Sequence, residues 1–210
     1  MRLPGSLAAA ADRLLREHTV EGRAAEVLTA IAAATPAHLQ ARARRLQRIL
    51  RARIPVLPPD CRHVDYDVIP VMISEGCLYN CGFCRVKTTA GFRVRSPADI
   101  RQQIDALAEY FGADLANYNA LFLGQNDALA AGSATICRAA EYGYRRLGQE
   151  RSLIRGPVVL LFGSVDSFLA LTEADLARLA GLPQRVFINI GLESFHGPSL
   201  ARLAKPVDPG

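Results

Sequence analysis

The sequence predicts an α/β fold, a partial (βα) barrel of about four βα units preceded by an N-terminal helical segment. Two observations carry this expectation. Four short apolar runs, at 68–73, 120–123, 158–162 and 186–190, have the length and β-branched content of buried parallel strands. Amphipathic stretches stand between them at 98–111, 135–146 and 173–180, the last with Thr172 placed to cap it. Strict alternation of strand and helix implies right-handed crossovers, with functional loops collected at the C-terminal ends of the strands.

Residues 1–60 form a separate helical region in this reading, with helices at 7–18 and 23–34 and a third after Pro36. In the third, Leu39, Leu46, Ile49 and Leu50 recur at helical spacing while Arg42, Arg44, Arg45, Arg48, Arg51 and Arg53 occupy other positions. This is a basic amphipathic helix, and the proline-rich stretch 54–60 stops it by removing amide donors and disfavouring helical backbone before each proline. The main domain then runs over 61–210, and its ending, from Lys205 to Gly210, reads as an interruption after the fourth strand.

A chain of 210 residues can bury a core without disulfides or structural metals. A net charge of +5 favours anionic ligands, yet it falls short of a dedicated nucleic-acid binder, and no aromatic residues interleave the arginine-rich helix. Asp12, Arg13 and Arg16 cut off the early apolar stretch before a secretory segment forms, and no window is apolar enough to span a membrane. The expected compartment is the cytoplasm, where thiols stay reduced and clustered cysteines read as metal ligands or catalysts.

Directly after the first strand comes Glu75-Gly76-Cys77-Leu78-Tyr79-Asn80-Cys81-Gly82-Phe83-Cys84-Arg85, a C-x3-C-x2-C spacing holding three of the five cysteines. The same offsets place three cysteines on one helical face, a small apolar stripe. Gly76, Asn80 and Gly82 oppose that alternative, because they are poor helix formers suited to a loop folded around a compact centre. Zinc is the rival metal, but a structural zinc site takes four ligands, and Cys61, His63 or Cys137 would have to be recruited singly. Cys137, among helical apolar residues, reads as a buried small hydrophobe.

With Phe83 just before the third cysteine and the loop at the end of a first βα strand, this segment resembles the signature of the radical S-adenosylmethionine (SAM) superfamily. The resemblance covers about residues 68–206, and it implies a partial barrel of the radical SAM type, although that family commonly has six βα units. It also implies a 4Fe-4S cluster on Cys77, Cys81 and Cys84 whose fourth iron takes the amino and carboxylate groups of SAM. The implied reaction is reductive cleavage of SAM to a 5′-deoxyadenosyl radical acting on an unidentified substrate, with an electron donor such as flavodoxin or ferredoxin.

Gly124, Gln125, Asn126 and Asp127 stand where the family has a Gly-Gly-Glu-like segment receiving the SAM amino group. Gln125 replaces the second glycine, so Asn126 or Asp127 must supply the acceptors, and an Asn-Asp helix cap is an equal alternative. Gly191-Leu192-Glu193-Ser194 resembles the subgroup related to the oxygen-independent coproporphyrinogen oxidase and the tRNA methylthiotransferases, making Glu193 and Ser194, with Asn189, candidates for SAM contact. Ser164 and Asp166 join them by position at a strand mouth. Arg85, Lys87, Arg93 and Arg95 are candidate countercharges, no residue is assigned a catalytic role, and two other functions stay open: an iron-sulfur electron carrier and a zinc-stabilised RNA-binding module.

Overall fold

The computed structural model describes residues 3–52, 67–79, 81–84, 91–124 and 126–206. The proline-rich stretch, Cys61, His63, Asn80, Arg85, Lys87 and Gln125 therefore lie outside the described residues.

The chain divides into two compact units, Met1–Arg48 and Ile49–Gly210. The first holds α1 (Leu3–Glu17), α2 (Gly22–Ala33) and most of α3 (Pro36–Leu50), with α1 packed on α2. Thr35 caps α3, its hydroxyl accepting the His38 N–H at 3.2 Å, and Pro36 takes the first helical position, where its missing N–H costs nothing. Arg44, Arg45 and Arg48 are exposed, as expected for the basic face.

The second unit is α/β. Its sheet contains β1 (Val68–Val71), β4 (Ala120–Leu123), β5 (Val158–Gly163) and β6 (Arg185–Ile190), parallel and in that spatial order. The helices α4 (Pro97–Phe111), α5 (Ser133–Arg146) and α7 (Glu173–Ala180) connect them, with α4 against α5 and α5 against α7. Period-2 alternation divides the strand side chains between two faces. Val68, Ala120, Phe122, Val158 and Leu160 form one cluster, extended by Phe162 edge-on to Phe122 at 5.5 Å. Ile69, Val71, Leu121, Leu123, Val159 and Leu161 form the other face and are buried almost completely. Helix α5 lies so close to β4 that a Cβ on Gly143 would stand 2.6 Å from Leu121 Cδ1, so only a glycine fits without moving that leucine.

The first strand ends at Val71, two residues earlier than the apolar run suggests. Gln103 of α4 is the reason: its amide accepts the Met72 N–H at 2.7 Å and donates to the Met72 carbonyl at 3.1 Å, so a side chain replaces the next strand rung. The chain then turns into a two-residue strand β2 (Ser74–Glu75), paired antiparallel with β3 (Arg93–Val94). Short helices α6 (Val165–Leu169) and α8 (Gly197–Arg202) also went unforeseen, being too short to show a period. Thr172 caps α7 as expected, in a capping box with Asp175.

Candidate functional site

Register places the loops. Val68, Ala120, Val158 and Arg185 lie in one row across the sheet, so the four parallel strands start level and their following segments open on the same side, two rungs further on for β5 and β6 than for β1 and β4. At this rim is a cavity of about 300 Å³, at the lower end of the usual size for small-molecule sites, roughly 300–1,000 Å³.

All three cysteines of the loop line it, together with Tyr79 and Phe83. Cys81 is buried while Cys77 and Cys84 are partly open, and none of the three is in a disulfide. The loop's base is closed by the β2–β3 pair and by Glu75, which accepts from Arg93 at 2.6 Å and from Arg95 at 3.0 Å. The hydrogen bond from Arg93 holds the Glu75 carboxyl below its ordinary range. Burial pushes the Cys81 thiol up, opposed by the positive charge of Lys205. Among the described residues, no group of three or more His, Cys, Asp or Glu side chains is gathered tightly enough for one metal ion.

The segment after β4 contributes Asn126 and Asp127. Asn126 donates to the Gly76 carbonyl at 2.5 Å, fixing the backbone just before the first cysteine. Asp127 caps the following 3-10 turn through Oδ1, which accepts from Ala130 N–H at 3.3 Å and from the Ser167 hydroxyl at 2.7 Å. Its other oxygen, Oδ2, is buried without a partner. The capping alternative is thus realised by one oxygen of this carboxylate, while the other has no hydrogen-bond partner. Gly124 does not line the cavity; at φ +99°, with Ala128 Cβ 3.1 Å from any added Cβ, it makes the turn out of β4 that a side chain would block.

After β5, Ser164 lines the cavity, but its hydroxyl is engaged in a capping box with Ser167 at the start of α6. Asp166 lies beside Tyr79, whose hydroxyl accepts its backbone N–H at 3.4 Å. Burial, with the Asp166 carboxylate next, raises the Tyr79 phenol above its ordinary value. After β6, Asn189, Gly191 and Glu193 reach the cavity. Ser194 does not; its hydroxyl accepts the His196 N–H at 3.0 Å and shapes the turn into α8.

The countercharge expectation needs correcting. Arg95 has a side chain only 2% exposed, but it points to Glu75, Asp99 at 3.9 Å and the Leu50 carbonyl, and neither it nor Arg93 lines the cavity. Among the described residues, the cation lining the cavity is Lys205, which pairs with Glu193 and donates to the Gly191 carbonyl at 2.5 Å. Nothing in the local sequence marks this lysine, because it reaches the site only through the fold. Cys137 is buried on α5 against the Arg178 carbonyl at 3.7 Å and takes no part in the cavity.

Comparison of the chain with protein-family models, curated proteins and solved structures finds no match. The reading of the cavity rests on its own chemistry. Its lining combines three soft sulfur donors with the Asp127 carboxylate, a Lys–Glu pair and the apolar rings of Phe83 and Phe162. Such a site suits a ligand with a charged polar end and a flat apolar remainder.

Proposed function

We propose that this protein is a radical SAM enzyme with a partial (βα) barrel core, acting on an unidentified substrate. The observation that carries the reading is the meeting, in one cavity, of Cys77, Cys81 and Cys84 with Asp127, whose Oδ2 is buried and unpartnered.

The donor set fits a 4Fe-4S cluster. Cys77, Cys81 and Cys84 all line the cavity, and three thiolates are the ligands such a cluster takes when its fourth iron is left to another donor. A zinc site would need a fourth donor converging with them, and the remaining described cysteine, Cys137, lies elsewhere.

A reduced cluster held by Cys77, Cys81 and Cys84 would supply the one electron for reductive cleavage of the S–C5′ bond of SAM, giving methionine and the 5′-deoxyadenosyl radical that would act on the substrate. The chain's own residues position and shield. Cys77, Cys81 and Cys84 would hold three irons, and Asp127, whose Oδ2 has no partner, would accept from the ligand's ammonium. Phe83, which is half-exposed, and Phe162 offer apolar surface to the adenosine portion and keep water from the reacting carbon. The basic charge balance suits an acidic flavodoxin or ferredoxin as electron donor.

Anaerobic reconstitution with iron and sulfide, followed by dithionite and SAM, tests the reading: 5′-deoxyadenosine forms in the intact chain and is absent when any one of the three cysteines is changed to alanine. A reconstituted, reducible cluster that leaves SAM intact overturns it. Zinc without sulfide, together with salt-sensitive RNA binding, favours the zinc module instead.

A further inference from the structure

Lys205 is a buried lysine with no role in the chemistry above. It is 7% exposed, and a lysine is seldom buried unless its charge is matched. Its ammonium donates to the Gly191 carbonyl at 2.5 Å, pairs with the Glu193 carboxylate, and lies 5.9 Å from the centre of the Tyr79 ring.

The backbone just before it is committed to the same place. The Leu203 carbonyl accepts the Gly82 N–H at 2.9 Å, and a Cβ on Gly82 would stand 3.4 Å from that carbonyl oxygen and 3.5 Å from Ala204 Cβ. Helix α8 ends with the Lys205 N–H donating to the Leu200 carbonyl at 3.0 Å and with Ala204 at φ +49°, a position glycine usually takes. Glu193, across the ion pair, is also at positive φ, +64°. Two side-chain-bearing residues are thus held in a disfavoured conformation on either side of one salt bridge, and such conformations persist only where surrounding contacts enforce them.

Tyr79 lies between the first and second cysteines and Gly82 between the second and third, so residues 203–205 grip both intervals of the C-x3-C-x2-C loop. We propose that the turn Leu203-Ala204-Lys205 is a clasp on the cysteine loop, with Lys205 as the positioning residue that fixes Cys81 and Cys84 before any metal arrives. Its purpose rests on the cluster reading above, but its existence can be tested without iron.

The experiment uses the full chain, free of metal and reduced, and compares wild type, Lys205→Met and Lys205→Arg. Two readouts are taken: hydrogen exchange at the Gly82 amide, and the iodoacetamide labelling rate of each cysteine mapped by mass spectrometry. In Lys205→Met, Gly82 exchange and Cys81 labelling rise by roughly tenfold or more, while Cys137 and the amides of Leu121 and Val159 keep their protection. Gly82 exchange reports the Leu203 carbonyl contact directly, so a parallel rise in both readouts marks opening of the loop. Lys205→Arg keeps both protections near wild type.

Unchanged Gly82 and Cys81 in Lys205→Met overturns the clasp. So does a loss of protection spread equally to Cys137 and the central strands, which would make Lys205 a general stabiliser. Should Lys205→Met not fold, Lys205→Gln, which keeps a donor for Gly191 but no charge, is read by the same criteria. A clasped loop that accepts no iron defeats the cluster reading alone, whereas an iron-loaded protein with an unclasped loop defeats this inference alone.

Discussion

Asn126 donates its side-chain N–H to the carbonyl of Gly76 at 2.5 Å, joining the segment after β4 to the residue that precedes the first cysteine. Gly76 is buried, so its carbonyl has no solvent to fall back on. Asn126→Ala is expected to cost about 1–3 kcal/mol, the usual penalty for a buried polar group stripped of its partner. Calorimetry should record a fall of several degrees in Tm, and iron per chain after anaerobic reconstitution should fall with it. Wild-type iron content alongside the lowered Tm would separate this bond from the metal site.

Asp127 offers a cleaner separation of stability from binding. Asp127→Asn keeps an oxygen for Ser167 and Ala130, so the cap after β4 survives, but the charge of Oδ2 is lost. Affinity for SAM, measured by equilibrium dialysis on the reconstituted protein, is expected to weaken by roughly ten- to a hundredfold, the worth of one charge-assisted hydrogen bond of about 1.5–3 kcal/mol. An unaltered affinity would remove Asp127 from the ligand site.

In the core, Leu121 is fully buried on β4 against Gly143 of α5. Leu121→Ala should lower unfolding free energy by about 2–5 kcal/mol through lost burial and a residual cavity. Urea denaturation read by far-ultraviolet circular dichroism measures it, and a change below about 1 kcal/mol would show that the helix collapses onto the gap.

Asp175 predicts an acid limb in stability. The Ser133 hydroxyl, donating at 2.5 Å, and then the Thr172 hydroxyl at 2.7 Å bring its carboxyl from an ordinary 3.8 to about 2. A carboxyl depressed in the folded state contributes fully above the unfolded value and is lost as pH falls through the folded one. Stability should therefore decline as pH drops from about 4 toward 2, and Asp175→Asn should flatten that part of the curve. Identical acid limbs in the two proteins would show that the link between α5 and α7 does not depend on this charge.

Much of the second unit was readable from residue order. β4 and α7 begin and end where the pattern indicates, and Thr172 caps as its side chain suggests, because a short apolar run or a hydroxyl three residues before an acid acts within one turn. The first strand was overestimated because Met72 and Ile73 look like strand residues, and only the position of Gln103 in α4 shows where the sheet loses them. Ser194 and Glu193 were indistinguishable in the chain, yet one faces the cavity and the other a local turn.

The amino-acid order by itself determined the alternation of strands and helices and the placement of three cysteines within a short segment after the first strand, both properties of neighbours along the chain. Tertiary structure alone decided that Arg95 turns away to Glu75 while Lys205 enters the cavity, and that one oxygen of Asp127 is buried without a partner. The physical reason is that charge pairing and desolvation depend on what is packed nearby, and for these side chains the deciding neighbours come from distant segments that meet only once the sheet and its loops have assembled.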